Sequence, residues 1–310
     1  MSNKYLRVCN LIVGKGKDLL DLSGFKIRFI IQAAQQESPN TAEITIYNLS
    51  DSTNYDIRKK FDSVLLQVGY EGSDPGVIFS GTIKQFKFGK EDNVTKFMTI
   101  YAADGDYEYT SSVVKGVIPA GTTPVDQLRA ATALSNPPVG FDTRPNLTGL
   151  VPNSNLVRDK VLFGMSRQIS RQLAKMHGLS WTYNSGQITF IPLDGYLPGQ
   201  AVEINSDTGM IGIPEQTDSG FYVRCLIDPK IQVGGLIRLN PEDIQSNQLN
   251  SIVAYNSRGS NLVYNAAADA SGLFMVYSID YRGDTRGQDW YSDLICLAVN
   301  PNTLKVELNR

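Results

Sequence analysis

The sequence predicts a mainly β protein in which two antiparallel β-barrel-like domains flank a small α+β insert. Three observations predict this class: apolar and polar residues alternate through the first third, helix signals are confined to the middle, and alternation returns towards the end. A chain of 310 residues also exceeds what one hydrophobic core usually organises. The predicted units are an N-terminal barrel (1–110), an insert with two helices and a hairpin (111–200) and a C-terminal barrel (201–310).

The N-terminal region is predicted to consist of strands that bury one face. Between Phe25 and Ala33 every second residue is apolar, which is the period of a half-buried strand. The same pattern covers 42–46, 64–68, 83–88 and 94–102, with turn-forming residues between the segments. Residues 14–18 contain two glycines and two lysines but lack the spacing of a phosphate-binding loop, so they are expected to form a solvated turn.

The middle region carries two helix signals. Thr123 followed by Pro124 is typical of a capped helix start with proline at the first helical position. The second helix is predicted to begin at a capping Ser166 and to end at Gly178, with an apolar stripe between them. Residues 136–155, rich in Asn, Pro and Gly, are expected to form an irregular connector.

A hairpin is predicted directly after the second helix. Trp181 and Tyr183 alternate on one arm, Ile188 and Phe190 alternate on the other, and residues 184–186 supply the turn. The two helices and this hairpin together make the α+β unit.

Alternation resumes in the C-terminal region. Phe221, Val223, Cys225 and Ile227 share one parity, and a further strand is predicted at 236–239. The last strands are expected at 273–281 and 294–299, joined by a loop rich in Gly, Asp and Arg.

Composition excludes several classes of function. A formal net charge of -2 provides no basic excess for binding a nucleic-acid backbone. Cys9, Cys225 and Cys296 are far apart, so they are expected to be buried free thiols rather than disulfides or metal ligands. No secretory leader and no apolar run of membrane-spanning length is evident, which favours folding in a reducing cytoplasm without membrane insertion.

Motifs for catalysis or metal binding are weak. His177, the one histidine, lies at a predicted helix C-terminus, where complementing the helix dipole explains it better than acid–base chemistry. Ser166 lacks the second glycine of a nucleophile elbow. Asp104 and Asp106 flank a glycine, which is more typical of a turn closing a strand than of a calcium loop. No catalytic residue, cofactor or metal is therefore predicted.

The densest charged region, residues 280–293, has more than one interpretation. It fits a strand-connecting loop stapled by Arg–Asp pairs, but also a carboxylate pair or a calcium loop. Aromatic residues and arginine favour buried contact centres, so a subunit or partner interface is also expected here. The residues predicted to form it are Arg282, Asp284, Arg286, Asp289, Trp290 and Tyr291.

Several segments occur in a characteristic order along the chain: PNTAEITIYNL at 39–49, FSGTI at 79–83, YAADGD at 101–106, the helix and hairpin through Trp181, VRCLIDP at 223–229 with Gly234, and GDTRGQDWY at 283–291. In this order they resemble the baseplate hub proteins of contractile-tailed bacteriophages, the tail hub or late control protein D-like family. The resemblance covers most of the chain, and the last segment is the most distinctive.

The resemblance implies a structural, non-enzymatic subunit of the virion tail baseplate, assembled in the host cytoplasm. Three copies would place six barrels in a pseudo-sixfold ring that joins a hexameric tail tube to a trimeric central spike and lines the channel for DNA passage. The implied partners are further copies of the chain, the spike protein, the tail tube or tube-initiator protein and other baseplate proteins, with DNA only in transit.

Two alternatives remain open from the residues. One is a tail-associated hydrolase of cell wall or polysaccharide that works through carboxylates among Asp280, Asp284, Asp289 and Asp293. The other is a carbohydrate- or receptor-binding tail module that uses Trp181, Trp290 and nearby tyrosines.

Overall fold

The fold is mainly β with a small helical component, as the sequence predicts. The structure, a computed structural model, describes residues 4–145, 147, 151, 154–193, 195–217, 220–240 and 272–299. Its strands are β1 Arg7–Lys15, β2 Asp18–Asp21, β3 Ile27–Ala34, β4 Thr41–Tyr47, β5 Ser63–Tyr70, β6 Gly76–Lys90, β7 Lys96–Ala103, β8 Val113–Ile118, β9 Ser135–Asn136, β10 Gly140–Phe141, β11 Lys160–Met165, β12 Leu179–Asn184, β13 Gln187–Pro192, β14 Val202–Ile204, β15 Glu215–Thr217, β16 Gly220–Leu226, β17 Leu236–Leu239, β18 Leu273–Asp284 and β19 Trp290–Ala298. Its helices are α1 Asp51–Lys60, α2 Asp106–Ser111, α3 Pro124–Ala133 and α4 Ser166–Met176.

Strands from both ends of the chain join one large sheet. Its main path runs β15-β16-β19-β18-β3-β4-β7-β6-β5-β1-β2, with β17 on β18 and β14 on β17. The junction between the N-terminal and C-terminal regions is the antiparallel pair β3–β18, in which Ile31 lies opposite Tyr281. Apolar side chains from both regions form one buried cluster. The sheet is continuous between the N-terminal and C-terminal regions, and the division of the chain into domains at residues 110 and 200 stays a prediction.

The alternating segments at 25–33, 42–46 and 64–68 bury the predicted faces, whereas Phe88 and Val94, at the ends of the segments 83–88 and 94–102, are exposed. In β3, Ile27, Phe29 and Ile31 are buried, and Phe25 lies before the strand, partly buried against the same core. The predicted turn at 14–18 connects β1 to β2, with Gly16 at a φ of 61°. Positive φ at this position favours glycine, which explains the residue type.

The insert packs its helices and hairpin around a second core. Thr123 caps α3, because its hydroxyl accepts a hydrogen bond of 3.2 Å from the backbone N–H of Asp126. The hairpin β12–β13 also forms as predicted, with Trp181 opposite Phe190. Its turn residues Ser185 and Gly186 have φ values of 54° and 81°. The α+β insert predicted from the sequence therefore exists as a packed unit.

The predicted capping role of Ser166 is wrong. Met165 is the N-cap of α4, and Ser166 is its first helical residue. The backbone N–H of Ser166, which as a first-turn N–H has no partner within the helix, donates to the carbonyl of Ser112 at 2.8 Å. From this position its side chain, which is buried, makes no capping hydrogen bond.

The predicted environment of the cysteines is confirmed. Cys9, Cys225 and Cys296 are buried and free. Burial raises the pKa of the Cys9 thiol to about 12. Thiols of this kind are poor nucleophiles and poor metal ligands, because both roles require the thiolate. None of the helices in the described ranges has the length and apolar character needed to cross a membrane.

Candidate assembly site

The loop between β18 and β19 is closed by its own backbone and by Asp284. The N–H of Asp284 donates to the carbonyl of Asp289 at 2.8 Å. One carboxylate oxygen of Asp284 accepts the backbone N–H groups of Arg286 and Gly287, each at 2.8 Å. This arrangement is an Asx-type turn, in which the side chain replaces a backbone acceptor. The carboxylate of Asp284 therefore has a structural task in the loop.

A second element, Arg7 at the start of β1, clamps the same loop. Its guanidinium donates to three carbonyl oxygens, at 3.2 Å to Asp284, 2.7 Å to Gly287 and 3.0 Å to Gln288. The predicted staple of Arg–Asp pairs is thus largely an arginine-to-backbone staple, supplied from the other end of the chain. Five N–H donors in a fixed plane suit arginine to this task.

Trp290 belongs to the core of the chain. Its side chain is only 1% exposed, and its ring meets the Phe29 ring edge-on at a centroid distance of 5.7 Å. The Arg7 guanidinium lies 5.4 Å from the centre of the Trp290 ring. The indole therefore anchors the loop from beneath and does not present a surface.

The other predicted interface residues occupy different positions. Tyr291 is half-buried under the guanidinium of Arg224, 4.4 Å from the ring centre. Asp284 is also half-buried. The exposed members are Arg282, Arg286 and Asp289. An interface through this loop stays a prediction, and it would have to use these polar side chains rather than the buried indole.

A charged group lies on the sheet beside the loop. Both carboxylate oxygens of Asp293 accept hydrogen bonds from Arg224, at 2.6 and 3.1 Å, and Tyr222 donates to one of them at 2.6 Å. Asp280 lies directly opposite Asp293 across the β18–β19 pair. Burial raises the pKa of Asp280, and the neighbouring Asp293 adds to this effect while Arg282 opposes it. The Asp293 carboxylate is therefore fully engaged by its own neighbours.

His177 lies at the C-cap of α4, as predicted, but its electrostatics differ from the prediction. The side chain is buried, and burial together with the nearby Lys160 lowers the pKa of its imidazole. The neutral form is thus favoured at pH 7, so His177 supplies no cation to complement the dipole of the helix.

Asp104 connects the N-terminal strands to the insert. Its carboxylate accepts the backbone N–H of Ser185 at 2.7 Å and that of Gly186 in the turn of the β12–β13 hairpin. Asn40 donates to the carbonyl of Tyr183 at 2.7 Å beside it. Burial, the largest influence, raises the pKa of Asp104 to about 7. The carboxylate thus holds the hairpin turn against the sheet.

Asp106 has a different partner from Asp104, although only one residue separates them. It forms an ion pair with Lys84 of β6. The two carboxylates therefore serve two separate contacts. No group of three or more potential metal ligands occurs among the residues that the structure describes.

The Arg7 clamp provides a test of the loop. Replacing Arg7 with alanine is expected to lower the free energy of unfolding by roughly 1–2 kcal/mol, because three carbonyl acceptors lose a charged donor. Chemical unfolding followed by circular dichroism measures this change. The matched control is Arg286→Ala, since that side chain reaches only the carbonyl of Gly24, at 3.4 Å. Equal losses from both variants would contradict the clamp.

Comparison with solved structures shows what the whole arrangement is similar to. A tail protein from Neisseria meningitidis superposes with a TM-score of 0.54 at 11% identity, covering 94% of this chain and 96% of that chain. A prophage tail protein from Shewanella oneidensis gives a TM-score of 0.55 at 8% identity, covering 95% and 97%. The chain has the fold of phage tail proteins. Because nearly the full length aligns, the shared fold includes the insert as well as the strands on either side.

A secretion-system protein shares the fold too. A component of the Escherichia coli type VI secretion system, itself structurally similar to tail proteins of bacteriophage T4, aligns with a TM-score of 0.50 at 9% identity and covers 89% of this chain and 74% of that chain. No protein-family model matches the sequence, and no curated protein sequence matches it significantly.

Proposed function

We propose that this chain is the structural hub of a contractile phage-tail baseplate. In this proposal three copies form a pseudo-sixfold ring that joins the hexameric tail tube to the trimeric central spike and lines the channel through which DNA passes. The observation that supports it most strongly is the near full-length likeness to the Neisseria and Shewanella tail proteins. The partners proposed are further copies of the chain, the spike, the tail tube or tube-initiator protein and other baseplate proteins.

The proposed role is non-enzymatic. Of the four acids considered for a hydrolase, Asp284 is committed to the turn of its loop and Asp293 to Arg224 and Tyr222. A glycosidase needs one carboxylic acid and one free carboxylate on either side of a substrate. The engaged oxygens of Asp284 and Asp293 do not favour that arrangement.

Sugar binding through tryptophan has no support from the structure. Stacking on a sugar requires an exposed indole face, but Trp181 is 0% exposed and Trp290 is 1% exposed. These are the two tryptophans of the chain. A carbohydrate-binding module built on them would require the core to open.

Light scattering tests the hub proposal directly. The purified chain, 34.1 kDa per copy, is expected to have the mass of three copies, and electron micrographs are expected to show threefold rings. The purified protein is also expected to leave cell walls intact. The Asp284→Asn and Asp289→Asn variants are expected to behave in the same way. A strictly monomeric chain at the highest soluble concentration, with no ring when the spike protein is added, would overturn the proposal.

A further inference from the structure

The small sheet of the insert has an unusual exposed face. The strands β11, β8 and β9 pair in that order, and the inner side of the sheet is buried in the second core through Val114, Ile118 and Leu162. The outer side is also apolar, although it faces outwards. Its exposed side chains are Val113, Val117, Val161 and Phe163, of which Phe163 is 75% exposed.

These outer residues form one continuous strip. Val161 lies directly opposite Val117 across the β8–β11 pair, Phe163 lies opposite Lys115, and Met165 lies opposite Val113. Cross-strand neighbours of this kind are close enough to make a common surface. A contiguous apolar patch differs from scattered exposed residues, because patches of this kind are typical of surfaces that contact another molecule.

The edge of the strip is open and its rim is basic. In the described part of the chain β11 pairs with β8 alone, so its outer side is an unpaired strand edge. Arg158 and Lys115 are exposed along the strip, and neither of them has an ion pair with another described residue. The single acid there, Asp159, accepts the backbone N–H of Ala120 at 2.8 Å. We call this surface, residues 113–117 with 158–163, the basic strip.

A second open edge has the opposite charge. The strand β15 ends the large sheet and pairs, within the described residues, with β16 alone. The segment leading into it exposes Ile213 by 59% and Ile211 by 39%. Asp207 and Glu215 are exposed beside them, and no described cation forms an ion pair with either one. We call residues 207–215 the acidic edge.

We infer that the basic strip of one copy binds the acidic edge of the next copy. Both surfaces are apolar at the centre, their unpaired charges are opposite in sign, and each has a strand edge that can extend a sheet across the contact. Because the two patches are different parts of one chain, the contact is head-to-tail, and contacts of this type form a ring when the rotation between successive copies closes. The inference rests on the proposed hub function and names the surfaces that would join its subunits.

Two substitutions test the contact, and a mixture of the two variant proteins tests whether the contact is head-to-tail. Phe163→Asp removes the centre of the basic strip, and Ile213→Asp removes the centre of the acidic edge. Each variant alone is expected to fall from the mass of three copies to that of one. An equal mixture is expected to reach the mass of two copies only, because one variant retains an intact strip and the other an intact edge.

The controls separate folding from assembly. Both positions are largely exposed, so the circular dichroism spectrum and the unfolding midpoint are expected to match the unsubstituted chain. Val94→Asp alters a side chain that is 85% exposed in the β6–β7 turn and is expected to keep the mass of three copies.

Three results would overturn the inference. If both variants retain the mass of three copies, the hub proposal stands and the junction is wrong. If Phe163→Asp dissociates the ring while Ile213→Asp does not, the strip binds something other than the acidic edge. A monomeric unsubstituted chain would remove the ring and the junction together.

Discussion

Replacing Trp290 with alanine is expected to lower the free energy of unfolding by about 3–5 kcal/mol. The side chain is fully buried, and its ring contacts Phe29 on β3, the strand through which the two ends of the chain join one sheet. Removing the indole leaves a cavity at that joint and takes away the apolar support of the β18–β19 loop. Urea unfolding followed by circular dichroism measures the loss.

The matched variant for this position is Trp290→Phe. It retains an aromatic ring near Phe29, so we expect it to recover a large part of the lost stability. If the Trp290→Ala variant unfolds like the unsubstituted chain but fails to form a ring, Trp290 is an assembly contact instead. That result would restore the interface predicted from the sequence and contradict the buried position of the indole.

The strands that the sequence predicted best are those with one buried and one solvated face. In β3 and β4 the alternation of apolar and polar residues follows directly from the pleat, so Ile27, Phe29, Ile44 and Ile46 could be assigned to the core without coordinates. The hairpin through Trp181 was predictable for the same reason. Local patterns of this kind depend only on neighbouring residues.

The strands β8 and β11 were not predicted, and the reason is physical. Both faces of β8 are apolar, since Val113 and Val117 lie outside while Val114 and Ile118 lie inside. A strand with two apolar faces has no period of two. The exposed apolar strip on the outer face is the reason that these strands lack the alternating pattern. The strands that the sequence did not predict therefore carry a candidate contact surface.

The helix α1 was missed for the opposite reason. It is largely polar, and Ile57 is its one fully buried residue, so it has no apolar stripe. Its ends nevertheless carried signals: Ser50 caps the first turn through a 3.1 Å hydrogen bond from the backbone N–H of Thr53, and Arg58, Lys59 and Lys60 complete the last turn. Capping patterns alone could have identified it.

Long-range contacts could not be predicted from the sequence. Arg7 reaches carbonyl groups that lie 277 to 281 positions later, and nothing near Arg7 indicates that partner. The same limit applies to Trp290. Its charged neighbours in the sequence suggested a surface, whereas the alternation in β19 directs its indole into the core.

The stability of the chain is expected to fall as the pH rises from 5 to 8, through Asp104. Burial raises the pKa of this carboxyl from 3.8 to about 7. The folded chain therefore holds the proton more tightly than the unfolded chain does, so the stabilising contribution is complete below about pH 4 and is lost as the pH rises through 7. Between pH 5 and pH 8 the expected loss is roughly 2–3 kcal/mol.

The comparison with Asp104→Asn isolates this contribution. Asparagine does not titrate. The free energy of unfolding of the unsubstituted chain, relative to that of the variant, is therefore expected to decrease by roughly 2–3 kcal/mol between pH 5 and pH 8, as measured by urea unfolding. Other titrating groups, including His177, are common to both proteins and cancel in the difference. A difference that is independent of pH would contradict the raised pKa of Asp104.

A second variant tests one of the smaller influences on the pKa of Asp104, beside the burial that is the largest. Glu108 on α2 raises the pKa of Asp104 by repulsion, whereas the N–H groups of Ser185 and Gly186 lower it. Replacing Glu108 with glutamine is therefore expected to lower the pKa of Asp104 and to move the loss of stability towards lower pH. Because Asp104 holds the β12–β13 turn, protection of the N–H groups of Ser185 and Gly186 from hydrogen exchange reports the same contact locally. Parallel changes in global stability and in local protection would show that the proton acts at the junction between the insert and the sheet.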